Sequence, residues 1–326
     1  MKPGKVPPEI LEKSIFPFLG TKRPEVLVHS KIGEDCSVID FGEYVCVLST
    51  DPITGADKEI GRLAVHISCN DLAANGAEPI GIMVTILFPD GTEEDKIKGV
   101  MEQIHNTALE INAEVLGGHT EITSSVSRIV VSATAIGRAL KREYVTSSGA
   151  RAGDDVILTK KAGLEGTAII ASDFEEFLKG KMSPEEIERA KGFINYISVI
   201  PEGRIGAKNG ATAMHDVTEG GVLGAAYEIA LASKVGITLR EDRIPVHPET
   251  LKICQIFNLN PLGLISSGSM LITAPDGNRI ISALKEAGIE GTIIGKVTEE
   301  GFRIVDKEGK ERPFTPPERD ELYKIL

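Results

Sequence analysis

The sequence predicts an α+β protein of two domains, residues 1–150 and 151–326, the first built on a mixed sheet and the second again mixing α and β. At 326 residues the chain is about twice the length of one ordinary domain. Apolar runs of strand length alternate with stretches of helical spacing, and two strands in direct succession before residue 140 make the first sheet mixed. The small residues of SSGARAGD (147–154) break the pattern, and VILTKKAG then opens a new strand, which sets the boundary.

Residues 1–30 mix Lys, Pro and Gly around one amphipathic stretch, ILEKSIFPFL, and read as a mobile arm with a helical turn. VCVLST (45–50) is a buried strand ending at Asp51. Leu63, Ala64, Ile67 and Leu72 recur at helical spacing, and Asn75 and Gly76 suit a left-handed cap before Pro79. GIMVTILF (81–88) is a strand. The helix over 92–111 opens on a near capping box of Thr92 and Asp95. VLGG (115–118) is a short strand running into a GGHTE loop, followed by the strand RIVVSATAIG (128–137). In the second half, helices are expected at PEEIERAKGFINYI, after HDVTEGG and near HPETLKICQIF. Strands are expected at GITLR, SMLIT and GTIIGKV, before a final polar tail.

The balance of 41% hydrophobic and 26% charged residues is that of an ordinary globular chain. A formal net charge of −12 disfavours nucleic acid as a partner, because the surface as a whole repels polyanions. Cys36, Cys46, Cys69 and Cys254 lie far apart without a CxxC pair, so they read as reduced thiols. No apolar run reaches the roughly 18 residues of a membrane span, and MKPGKVPPEI lacks a signal peptide's apolar core. No membrane is expected, and the cytoplasm is the expected location.

Five acidic islands end the apolar runs: GEDCSVID (33–40), LSTD (48–51), NDLAANGA (70–77), GGHTE (117–121) and HDVTEGG (215–221). Carboxylates beside glycines suit Mg²⁺ held against phosphate oxygens. Each island has a plainer reading. Asp35 serves a turn equally well, and Asp51 could simply cap a strand. Asn70 and Asp71 fit a solvent-facing side of their helix, although Asp71 falls four residues after Ile67 and so on the packed side, where a carboxylate is costly unless paired or metal-bound. GGHTE is either a plain turn or a phosphate loop in which Thr120 and Glu121 supply oxygens. His119 and Glu121, with His215, are the candidate acid–base groups. HDVTEGG is the most specific string, since His215, Asp216, Thr218 and Glu219 stand directly before a helix N-terminus.

In combination these strings, with IGRLAVHISCNDLAANGAEP, SSGARAGDDVILTKKAGLEGTAII and GLISSGSMLIT, resemble the aminoimidazole ribonucleotide synthetase (PurM-like) superfamily over nearly the whole chain. The opening GKVPPEIL and the general spacing are most similar to its hydrogenase expression/formation protein E group. The resemblance implies an N-terminal domain that closes a barrel across a homodimer, a C-terminal α/β domain, and ATP with several Mg²⁺ ions in the cleft between them. It implies Asp35, Asp51, Asp71 and Asp216 as metal ligands with Asn70 beside them. Gly117, Gly118 and Thr120 become phosphate-loop contacts, and Thr218 and Glu219 further phosphate or metal contacts.

The implied reaction is phosphorylation, with or without dehydration, of a small-molecule or peptide-borne amide-like acceptor, with a maturation-protein partner. Three departures stand against closer assignment. No cysteine follows Cys254, none precedes Cys36, and the Asp at 119 and Arg near 147 of thiamine-monophosphate kinases are replaced. The alternatives are an ATP-binding maturation or regulatory protein with reduced catalysis, and a small-metabolite kinase.

Overall fold

Residues 6–54, 58–315 and 317–325 are described by the computed structural model. Residues 1–5 of the expected arm lie outside them. The rest of the arm holds α1 (Pro8–Ser14) and a 3-10 turn (Phe16–Phe18), neither with a buried side chain.

The first half forms β1 (Val26–Val28), β2 (Ser37–Phe41), β3 (Tyr44–Ile53), α2 (Ile60–Ala74), β4 (Glu78–Phe88), α3 (Glu94–Glu110), β5 (Glu114–Ile122) and β6 (Val130–Leu140). Its six strands lie in the order β1-β2-β3-β6-β4-β5, with β4 and β5 parallel and the other neighbours antiparallel. Period-two alternation turns Val45, Val47, Val84, Ile86, Val131 and Ala133 to one face, where Leu63, Leu72 and Ile104 of the two helices cover them. Among the described residues, no helix packs on the opposite face. Tyr44 and Met83 remain 45% and 47% exposed there.

The second half forms β7 (Asp155–Thr159), α4 (Leu164–Asp173), α5 (Glu175–Leu178), α6 (Pro184–Lys191), α7 (Ile200–Lys208), β8 (Ala213–Asp216), α8 (Gly221–Ser233), β9 (Gly236–Arg240), α9 (Pro248–Phe257), β10 (Met270–Ala274), α10 (Gly277–Glu286), β11 (Gly291–Thr298), β12 (Phe302–Val305) and β13 (Glu311–Pro313). The sheet order is β13-β12-β9-β11-β7-β10-β8. Strands β7 and β10 are apolar on both faces because both are covered. Val156 and Leu158 meet Val222, Ala226 and Ile229 of α8, while Ile157 and Ile272 meet Ile280 and Leu284 of α10. A third cluster joins α4, α6 and α9 through Ile170, Ile187 and Ile253 with Leu264 and Leu322. No described helix is long and apolar enough to cross a membrane.

The C-terminal end of α2 is fastened to the second half. Ala73 and Ala74 enter the core that holds Met214 and Ile272. Gly203 of α7 lies so close that an added Cβ would fall 2.0 Å from the Ala73 carbonyl oxygen. Asn70 spends both ends of its amide on this junction, donating to Ile197 O at 2.8 Å and accepting from Val199 N at 2.9 Å.

Four local expectations change. Strand β3 continues through Asp51 and Pro52 to Ile53, because β2 stops opposite Leu48 and leaves β3 paired with β6 alone, a setting that tolerates a residue lacking N–H. GGHTE is the edge strand β5 rather than a loop, with Gly117 and Gly118 at φ +145° and +149° and no room for a Cβ at 118, which would sit 1.7 Å from Val84 O. Thr92 bonds back to Pro89 O instead of capping α3, whose N-cap is Glu93. The residue with left-handed backbone after α2 is Gly76, not Asn75.

Candidate active site

A cleft of about 870 Å³, counted to its open mouth, lies where α2 and β3 face the second half. Its polar lining includes Asp35, Asp51, Asp71, Glu165, Glu219 and Asp320, and its walls include Leu63, Ile67, Ile169 and Ile265. No lysine, arginine or histidine is among these lining residues. Six carboxylates facing one another without a lining cation repel unless protons or cations join them.

Asp35 ends the loop before β2, where Gly33 at φ +79° presses against α8 and an added Cβ would meet Glu228 O at 3.0 Å. Asp51 projects from the stretch of β3 that has lost β2 as a neighbour. Asp71 sits on the packed side of α2, only 3% exposed, and accepts a hydrogen bond from the Ser49 hydroxyl. Burial, reinforced by the charges of Asp216, Asp51 and Asp35 and by a hydrogen bond with Asp51, holds its carboxyl well above the usual range. Burial and the same carboxylates push the neighbouring Cys36 thiol far up, which disfavours its thiolate.

Asp216 ends β8 and is fully buried behind the cleft floor. His215 beside it is equally buried. Its Nε2 lies 3.0 Å from Glu228 and 3.4 Å from Asp35, and its Nδ1 is 2.7 Å from Asp216 O. Burial works against the charged imidazole, but Asp35, Glu228 and Asp216 outweigh it and raise its pKa to about 10. Ligand atoms of Asp35, His215 and Asp216 all fall within 4.8 Å of one another, the geometry of a cation site. His215 Nε2 faces both Glu228 and Asp35, so the imidazole also fixes the direction of the Asp35 carboxylate.

Thr218 and Glu219 follow on the turn into α8. Gly221 at φ +59° packs against Leu262 O, 2.6 Å from where a Cβ would stand, which explains the glycine at this place. Glu219 accepts from the Tyr323 hydroxyl at 2.9 Å.

Of the residues expected from sequence, Asp35, Asp51, Asp71, Thr218 and Glu219 line the cleft and Asp216 lies behind it. Asn70 does not line it, because its amide holds the junction of α2 with residues 197–199. Gly117, Gly118, His119, Thr120 and Glu121 also lie elsewhere, on the exposed edge strand, where His119 pairs with Glu121 at 3.1 Å. Glu165, Ser267, Asp320 and Tyr323 also line the cleft, and none of them belongs to an acidic island of the sequence. A glutamate within the apolar helix LEGTAII was a readable signal for the first. The tail residues carried no periodicity that would have flagged them.

The family description "AIR synthase related protein, N-terminal domain" matches residues 33–139, and "AIR synthase related protein, C-terminal domain" matches residues 151–307. A Methanocaldococcus jannaschii protein bearing the name hydrogenase expression/formation protein is 30% identical, with 93% of this chain and 94% of that protein covered. The carbamoyl dehydratase HypE of Cupriavidus necator is 25% identical over 81% of this chain and 76% of its own length. Among solved structures, AaThiL complexed with AMPPCP and TMP superposes with a TM-score of 0.76 at 21% identity, covering 98% and 99% of the two chains, a likeness of fold. With both halves matched in order, the chain belongs to the AIR synthase related, PurM-like family, near its hydrogenase expression/formation protein E group.

Proposed function

We propose that this chain is a Mg²⁺-dependent, ATP-using cytoplasmic enzyme that phosphorylates an amide-like acceptor and works as a homodimer. The observation that carries the reading is the cleft itself, six carboxylates with no cationic side chain among its lining residues. A fixed arrangement of this kind suits divalent cations carrying a polyphosphate. Asp71 is the strongest case for fit, since a buried carboxyl held high by three other carboxylates returns to its ionised form when a cation arrives.

On this reading Asp35, Asp51, Asp71 and Asp216 hold Mg²⁺, and His215 and Glu228 fix the direction of Asp35. Bound Mg²⁺ would neutralise phosphate oxygens and lower the cost of bringing a nucleophile to the γ-phosphate. Thr218 and the first amides of α8 offer donors to the same phosphates. The uncovered face of the first sheet, with Tyr44, Met83, Thr50 and Thr134, supplies the homodimer contact, and the GGHTE residues on its edge act across that dimer rather than in their own cleft. A carbamoyl dehydratase and a hydrogenase expression/formation protein among the relatives support an amide-like acceptor. A small-metabolite kinase is the second reading, favoured by the neighbour of similar fold that carries AMPPCP and TMP.

Phosphorus NMR separates the two. With ATP and Mg²⁺, a carbamoyl- or carboxamide-bearing acceptor is expected to drive conversion of ATP to ADP with a new phosphorus product, while thiamine monophosphate leaves ATP intact. Conversion with thiamine monophosphate alone would favour the kinase.

A further inference from the structure

The segment 196–199, which leads into α7, is gripped from both halves of the chain. Asn70 of α2 donates to Ile197 O at 2.8 Å and accepts from Val199 N at 2.9 Å. Lys160, the residue after β7, holds the same segment from the second half. Its Nζ donates to Ser198 O at 2.6 Å, Tyr196 O at 3.1 Å and Gly268 O at 2.8 Å. Glu202 of α7, 1% exposed, completes the set with a carboxylate oxygen 2.6 Å from the same ammonium. The carbonyls of 196 and 198 thus go to the lysine, and the carbonyl between them goes to the asparagine.

This arrangement does more than pair two charges. One cationic partner is enough to keep the buried Glu202 carboxylate from standing alone, with no further bonds from the lysine. Here the ammonium donors also reach main-chain oxygens, two of them on the segment that Asn70 holds. Lys160 itself takes a left-handed backbone, φ +50°, a conformation disfavoured for a residue with a Cβ and kept only where the surroundings fix it. Its charge also reaches α2. Burial first, then Arg62 and Lys160, lower the pKa of His66, one turn before Asn70, to about 4.

Asp71 follows Asn70 directly in α2, and helix geometry leaves no slack between them. A shift of segment 196–199 therefore moves the Asn70 amide and with it the Asp71 carboxylate. Binding sites hold their geometry to within about 0.5 Å, so such a shift is felt.

Resting on the reading of the cleft as a Mg²⁺–ATP site, we infer that Lys160 is a positioning residue for that site: its ammonium fixes segment 196–199, the segment fixes Asn70, and Asn70 sets where Asp71 meets the cation. Lys160 is not among the residues that line the cleft, so it acts through the chain rather than on the ligand.

The test is a double-mutant cycle, read by calorimetric titration of the full chain with ATP in Mg²⁺ at a temperature where circular dichroism shows each variant folded. Lys160→Met keeps the length of the side chain and removes its charge and donors. It is expected to weaken binding about tenfold in the wild-type background and less than about twofold in an Asp71→Asn background, where nothing is left to position. A merely structural lysine would lower the melting temperature in both backgrounds without moving the affinity of the folded protein, or would add the same loss to each. Should Lys160→Met fail to fold because Glu202 is left buried and unpaired, Lys160→Met/Glu202→Met removes both charges and enters the same cycle with the same expectation. Unchanged affinity, or equal losses in the two backgrounds, overturns the inference alone. A wild-type chain that does not bind ATP in Mg²⁺ overturns the underlying reading, and the positioning role with it.

Discussion

Asp71→Asn is expected to weaken Mg²⁺–ATP binding by about 100-fold, the scale on which losing one partner of a buried charge interaction is felt. The same change is expected to raise the melting temperature of the ligand-free protein by about 2 °C or more. The two effects share one cause. In the free protein Asp71 is buried against Asp216, Asp51 and Asp35, and holding its carboxyl protonated where an exposed aspartate would ionise is a cost borne by the fold. Asparagine keeps the shape and can still accept the Ser49 hydroxyl, but it brings no charge for a cation to neutralise. Thermal melts with and without Mg²⁺–ATP, alongside calorimetric titration, read both effects on one preparation. A variant less stable than wild type in the free state, with affinity unchanged, would make Asp71 a structural residue.

The second large effect is expected at the junction of the two halves. Gly203→Ala should cost about 3 kcal/mol, at the upper end of the usual range for an overpacked contact. Helix propensity alone favours alanine within α7 by about 1 kcal/mol. Sterics reverse the sign, because the new methyl would fall 2.0 Å from the backbone carbonyl of Ala73, which cannot rotate away. Helix α2 would have to shift, carrying Asp71 and the Asn70 clamp with it, so ATP affinity should fall together with stability. Gly192→Ala is the matched control, with nothing within 4 Å of the added carbon and no expected loss. Denaturant unfolding of both variants decides between these expectations.

The parts of this protein that were legible in the sequence are those that repeat a local rule. The spacing of Leu63, Ile67 and Leu72 marked α2 and placed Asp71 on its packed side, where it is found. HDVTEGG gathers oxygens directly before a helix, and Thr218 and Glu219 do line the cleft at the start of α8. The GGHTE reading depended on what lies beside the segment. Two glycines and a threonine suit a phosphate loop, yet parallel pairing with Val84 and Thr85 makes the segment a strand at the sheet edge. Asn70 shows the same limit, since no local pattern reveals that its amide bonds to residues 127 and 129 positions away. Asp320 and Tyr323 reach the cleft only because the tail folds back onto α8 and α9, a long-range event without a sequence period.

On the reading proposed above, the carboxylate cleft binds ATP through divalent cations. Calorimetric titration of the wild-type chain with ATP, once in Mg²⁺ and once in EDTA, tests it most directly. Saturable binding is expected in Mg²⁺ and none in EDTA, since bare phosphates would face six carboxylates with no lining cation between them. Equal binding in both conditions, or none in either, would contradict it.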